Sequence, residues 1–219
     1  MDLRLLALAV LACAALPASA QSADLSTDAR AFVTQLYFEG VPYDHARALG
    51  KEALPDLYAV LADPSLEAYW VNTVGTIGYI GSPDSVEPLM AFLRGFEGEV
   101  SVHAFRAALQ VMPALGSIHG AGSEAALDVL VAFSDDAHWQ VEPLGLRYGG
   151  YEGEALGEVL GRMAVMGLGW SGTEAATAHL ESLRPGLRAD WTDNVDEALT
   201  LNARIRAQGA EAVFAPSGR

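Results

Sequence analysis

Apolar residues recur along this chain at helical spacing, in stripes that break every few turns. Leu54, Leu57, Tyr58 and Leu61 fall at i, i+3, i+4 and i+7, and Asp63-Pro64 closes the stripe by removing a backbone donor. A partner helix from about Leu66 to Ile80 places Trp70, Val71, Val74 and Ile77 on one face. Ser82 as N-cap and Pro83 as first helical residue open the stripe Val86, Leu89, Met90 and Leu93. Gly95 to Gly98 turns the chain into a helix over about Val100 to Ile118, which Pro113 is expected to kink or split. Ser123 opens Leu127, Leu130, Val131 and Phe133, with a partner helix over about Glu154 to Gly167. Thr173 opens a last stripe with Leu180 and Leu183, stopped by Pro185-Gly186. Its partner is capped near Thr192 or Asp193 and runs through Val195, Leu199, Leu201 and Ile205 to Gln208. Upstream, Ser26-Thr27-Asp28 caps Phe32, Val33, Leu36 and Tyr37, and Gly40-Val41-Pro42 separates that helix from a short one over Tyr43 to Leu49. Period-two alternation is nowhere sustained, so β structure is expected to be negligible.

One segment recurs. Gly75-Thr76-Ile77-Gly78-Tyr79 begins a stretch echoed at Gly116-Ser117-Ile118-His119-Gly120 and, more weakly, at Met166-Gly167-Leu168-Gly169-Trp170. Each copy closes an apolar helix, turns on glycine and caps the next helix with Ser or Thr. A helix pair repeated every ~40 residues marks a solenoid, in which each unit buries its apolar face against its neighbours. The spacing is uneven, 41 residues from Gly75 to Gly116 and 50 from Gly116 to Met166. The surplus falls in an insertion over residues 134–153. The sequence thus predicts an all-α, right-handed solenoid of about four helix pairs, over residues 51–81, 82–121, 122–171 and 172–208. An N-terminal helical cap over 21–50 precedes it and a frayed tail over 209–219 follows.

Residues 1–20 read as a secretion signal. Arg4 precedes the apolar run Leu5 to Leu16, and Ala18-Ser19-Ala20 offers a small-residue cleavage site before Gln21. Cys13, the only cysteine, lies within it, with lipidation there as the lesser variant. Cleavage after Ala20 leaves a periplasmic or secreted chain without disulfides, thiol chemistry or cysteine-bound zinc. The formal net charge of -15 argues against nucleic acid and anionic membrane surfaces as partners. Its plain reading is a solvated exterior.

The residue types of catalysis are present without their patterns. G-x-S-x-G, H-E-x-x-H and phosphate-binding glycine loops are missing. Ser117 and His119 are close in sequence but do not face each other on a helix. His45, His103, His119, His138 and His179 contain no i,i+4 pair. Asp135, Asp136 and His138 have the right donors for a metal, yet neighbours on one loop seldom complete a site. Asp190, Asp193 and Asp196 lack the glycine of a calcium loop, and Asp193 reads better as a helix cap. Neither cofactor nor metal is expected. Trp139 and Tyr148 stand outside the apolar rhythm, in the insertion, and suit contact anchors; Trp70 suits the core.

The run Ala53-Leu54-Pro55-Asp56-Leu57-Tyr58-Ala59-Val60-Leu61-Ala62-Asp63-Pro64, with the helix ending Val74-Gly75-Thr76-Ile77-Gly78, resembles a HEAT repeat of the short variety found in phycobilisome-lyase-like proteins. Ala114-Leu115-Gly116-Ser117-Ile118 fits the same ending, and the likeness spans about Lys51 to Leu183. HEAT repeats often ladder an Asp and an Arg along the stack. Here Asp63 fits, Glu67 stands where arginine is usual, and Arg106 is an approximate counterpart, so apolar packing must dominate. The resemblance implies that the second helix of each pair lines a concave binding face. By repeat position, Tyr69, Asn72, Gln110 and Met163 would lie there. The expected function is a non-enzymatic scaffold for a protein or peptide partner. The alternatives are an enzyme or enzyme accessory of the lyase-like type, or a structural component of the cell envelope.

Overall fold

The computed structural model describes residues 28–37, 40–135, 138, 144–184 and 189–214, which are mostly helical. The expected leader over 1–20 lies outside them. Two short helices come first, α1 (Ala29–Val33), whose N-cap Asp28 accepts from the Ala31 amide at 3.1 Å, and α2 (Tyr43–Ala48). Helix pairs follow: α3 (Leu54–Leu61) with α4 (Trp70–Ile80), α5 (Val86–Arg94) with α6 (Val102–Gly120), α7 (Glu124–Phe133) with α8 (Gly153–Ser171), and α9 (Glu174–Leu183) with α10 (Ala189–Gln208). The two members of each pair pack together, and the second members pack in chain order, α4 on α6, α6 on α8 and α8 on α10. Helix α2 lies on α4. A last helix, α11 (Ala210–Phe214), extends from α10 and reaches back to α2. None of these helices is long and apolar enough to cross a membrane.

The second helices touch through their backbones. A β-carbon at Gly116 would stand 2.0 Å from the Gly167 carbonyl oxygen, and one at Gly167 would stand 2.5 Å from that of Met112. Gly78 faces Ala114 and Gly169 faces Ala198 almost as closely. Glycine is required there because any side chain would push the helices apart. Around these crossings Ile77, Leu115, Ile118, Leu160 and Leu168 are fully buried. Each such aliphatic side chain contributes about 1.5–3 kcal/mol by leaving water.

The recurrent turn is a single piece of geometry. Gly81, Gly122 and Gly172 all have positive φ (72°, 106° and 62°); Gly81 and Gly172 directly follow a helix, and Gly122 follows one after Ala121. Ser123 and Thr173 then cap the following helix by accepting from the Ala126 and Ala176 amides. Ser82 differs: it leads into a 3-10 turn (Pro83–Ser85) and its hydroxyl is buried with no hydrogen-bond partner among the described residues.

Several boundaries depart from the sequence pattern. Pro64–Tyr69 forms a 3-10 turn capped by Asp63, so α4 begins at Trp70 rather than near Leu66. Helix α6 runs unbroken for 19 residues through Pro113. Val111, Met112, Ala114 and Leu115 on either side are buried, which holds both halves in line across the lost hydrogen bond. Helix α8 continues past Gly167 to Ser171, because its glycines are contact points and not terminators. Helix α10 begins at Ala189, ahead of Thr192 and Asp193. In the segment read as a frayed tail, residues 210–214 are helical and carry a packed ring. Besides an isolated Tyr148–Tyr151 bridge, the β structure described is a two-residue parallel ladder, Gly98↔Leu146 and Glu99↔Arg147. It pins the end of the insertion to the turn before α6, with Leu146 fully buried.

Candidate binding site

The ends of the second helices meet at an open cavity of about 320 Å3. Position five of the recurring segment is Tyr79 in the first copy, Gly120 in the second and Trp170 in the third, and all three line this cavity. Helix α6 separates α4 from α8. Because its residue at this level is glycine, the Tyr79 and Trp170 rings approach to 6.4 Å between centroids, with planes only 5° apart. Residues at position six, Ile80, Ala121 and Ser171, line the cavity as well. Large rings on α4 and α8 thus flank a glycine on α6 at the rim of the cavity.

Two further elements close it. Tyr43 of α2 packs edge-on against Tyr79 at 5.0 Å. Phe214 of α11 lies 4.6 Å from Trp170, 5.8 Å from Tyr43 and 6.1 Å from Tyr79. Burial, with Tyr43 adding to it, raises the Tyr79 hydroxyl above its ordinary pKa, so the phenol stays neutral. The charged lining consists of Arg47 and Arg206, without an aspartate or glutamate among the described residues. Arg47, one turn beyond Tyr43, donates to the Tyr43 hydroxyl at 3.1 Å and lies 5.6 Å from its ring centroid. Arg206 stands exposed in the last turn of α10. Neither guanidinium is in a salt bridge among the described residues.

The site offers stacking surfaces and positive charge, with no paired nucleophile and base among the described residues. The Ser171 hydroxyl donates to the Leu168 carbonyl at 2.7 Å. Ser117 and His119 are not paired: Ser117 points back to the Pro113 carbonyl at 3.5 Å, while His119 bridges the Ser123 carbonyl (3.0 Å) and the Thr173 hydroxyl (2.8 Å). The latter contact clips the second recurring turn to the third. Ser134 and His179 do meet, at 2.9 Å, but the Ser134 proton goes to the Val131 carbonyl at 2.8 Å, so the hydroxyl is not activated. Burial lowers the His179 pKa, with nearby Asp135 opposing it. Among the described residues no three His, Cys, Asp or Glu stand together as a metal site. Asp136 lies outside those residues, and His138 packs on the Phe133 ring at 4.6 Å.

The residues singled out from sequence do not converge here. Asn72 donates to the Val33 and Gln35 carbonyls at 3.0 and 3.3 Å, fastening the N-terminal segment to α4. Gln110 lies on α6 across from Gly75, and Met163 on α8 is half-buried against the core. Tyr69 ends the 3-10 turn before α4, half-exposed. Tyr148 stacks on Phe105 at 4.6 Å, anchoring the insertion from within. Trp139 lies outside the described residues. Trp70 is a core residue whose indole donates to the Val60 carbonyl at 2.9 Å and whose ring meets Phe92 at 90°. Sequence reasoning missed Tyr43, Arg47, Trp170, Arg206 and Phe214. The usable signal was the alternation Tyr79, Gly120, Trp170 at one position of the repeat.

No family model matches this chain, and neither does any curated protein or solved structure with which it was compared.

Proposed function

We propose that the chain is an exported, non-enzymatic scaffold, a right-handed solenoid of HEAT-like helix pairs that binds a protein or peptide partner at the edge where its second helices end. The observation that carries this reading is the open cavity lined by Tyr79 and Trp170, which stand at equivalent positions of the recurring segment. Ordered aromatic surface with arginine beside it is the composition of binding hot spots. The Ser117 and Ser171 hydroxyls and the His119 imidazole near it are committed to structural hydrogen bonds, which favours recognition over catalysis.

Site-specific photo-crosslinking tests the reading. A benzoylphenylalanine replacing exposed Ala121, at the cavity, is expected to give a discrete adduct with an envelope protein or peptide of the producing cells. The same probe at Tyr58, among the outer helices, is expected to give none. Equal adducts from both positions, or an adduct at Ala121 that survives Trp170→Leu unchanged, would contradict it. Intact mass of the exported chain should show loss of residues 1–20; a full-length exported chain would overturn the leader.

A further inference from the structure

We infer that helix α11 is a strap hinged at Gly209, which covers the cavity while Phe214 is docked and admits the partner when α10 straightens and lifts the ring away. The inference adds a regulation to the binding reading above and rests on it. The way α11 is held points to this first. None of its five residues is buried, and its ring contacts are all made by Phe214, with Trp170, Tyr43 and Tyr79. Ala210 and Phe214 line the cavity, so the helix forms one of its walls. A wall without buried residues is drawn from the part of a fold that opens most readily.

The hinge is a single residue. Gly209 separates α10 from α11 with φ of +84°, while its amide still donates to the Ile205 carbonyl at 2.8 Å. It is the left-handed residue that ends α10. Ile205 is buried on the side of α8, where a β-carbon at Gly172 would strike its side chain at 2.3 Å. With Gly209 in right-handed conformation, α10 would run on to Phe214, nine positions after Ile205. At 3.6 residues per turn, nine positions are two and a half turns, a rotation of about 180°. The ring would then point away from α8 and Trp170. Ala210-Glu211-Ala212-Val213-Phe214 has neither glycine nor proline and stays helical in both arrangements. Docked and lifted states thus differ by the dihedrals of one element-terminal residue, the usual form of a hinge.

What lies beneath the strap completes the argument. Tyr79 and Trp170 are half-buried, and Phe214 covers part of both. Lifting it opens aromatic surface beside the cavity that a partner would bury in turn. Self-coverage of this kind lowers apparent affinity by the fraction of molecules with the strap lifted. Position 209 gives access to that fraction alone. A β-carbon there would meet nothing within 4 Å, so alanine alters no contact and acts only on the backbone. Because alanine disfavours left-handed dihedrals, Gly209→Ala should move the docked-to-lifted ratio about tenfold toward lifted.

Fluorine NMR of the full chain with 4-fluorophenylalanine in place of Phe214 reads the hinge. Its resonance should stand apart from that of a peptide spanning residues 209–214. Gly209→Ala should move it at least about a quarter of the way to the peptide value, as a tenfold shift in ratio requires. Broadening of the Trp170 indole proton by a soluble nitroxide reads the uncovering and should rise in the same variant. Phe214→Ala removes the plug without touching the hinge and should raise that broadening too. Benzoylphenylalanine in place of Ala121 reads access: both variants should give at least about three times the adduct of the parent chain in the producing cells. A fluorine resonance and a Trp170 broadening that ignore Gly209→Ala overturn the hinge. An Ala121 adduct that stays constant or falls in both variants makes α11 part of the binding face and overturns the strap. No adduct from any of the three proteins overturns the binding reading and the control of access with it, while fluorine and nitroxide still decide the hinge.

Discussion

Two glycines on the long helices carry opposite constraints, although the sequence gives both the same role. A β-carbon at Gly75 would meet only the Gln110 side-chain amide, at 3.8 Å, an ordinary contact. One at Gly116 would collide with backbone of α8. Gly75→Ala is therefore expected to stabilise the protein by about 0.5–1 kcal/mol, the ordinary advantage of alanine within a helix. Gly116→Ala should cost at least about 3 kcal/mol, since α6 and α8 must part. Urea denaturation of the two variants measures both; a similar effect at both sites would sink the claim that backbone contact dictates glycine at this crossing. Asn202 acts at the same scale. Fully buried on α10, it donates to the Leu168 carbonyl and accepts from Thr177, so its amide is satisfied on both sides.

Helices are joined by side chains remote in sequence, and one junction depends on pH. His179 of α9 donates to Ser134 at the end of α7, and burial holds its pKa below the ordinary 6.5. Asp135 is the charged group that opposes this shift. A lowered histidine pKa means the unfolded chain takes up a proton first, so stability present above about pH 6.5 is lost as the pH falls below it. His179→Gln should flatten the melting temperature between about pH 7 and 5 relative to wild type; parallel curves would contradict the assignment. Helix α11 makes a second junction, held to α2 and α8 by the half-buried Phe214 ring. Phe214→Ala should cost only about 1–2 kcal/mol, while amides 210–214 lose protection in hydrogen exchange. Retained protection there would show that the ring does not hold the helix.

Across the whole molecule, legibility followed the range of the interaction. Apolar stripes at Leu54, Leu57 and Leu61, glycine turns at 81, 122 and 172, and the Ser123 and Thr173 caps act within one or two helical turns, and their patterns were plain. Pro113 misled because neighbours on α4 and α8 override its local penalty. The site was largely hidden: Tyr43, Tyr79, Trp170 and Phe214 each look like core aromatics, and only the packing order of α4, α6 and α8 gathers them. Tyr148 breaks the apolar rhythm of the chain, and the ring it stacks on, Phe105, lies 43 residues away.

The central claim is that recognition occurs where the long helices end, over Gly120. Amide NMR of the isotopically labelled protein during titration with the partner recovered by crosslinking at Ala121 reads this residue by residue. The largest shifts are expected at Ile80, Gly120, Ser171 and Arg206, one on each of α4, α6, α8 and α10. Shifts centred instead on Tyr58 and Phe92, in the shallow groove between α3 and α5, would contradict it.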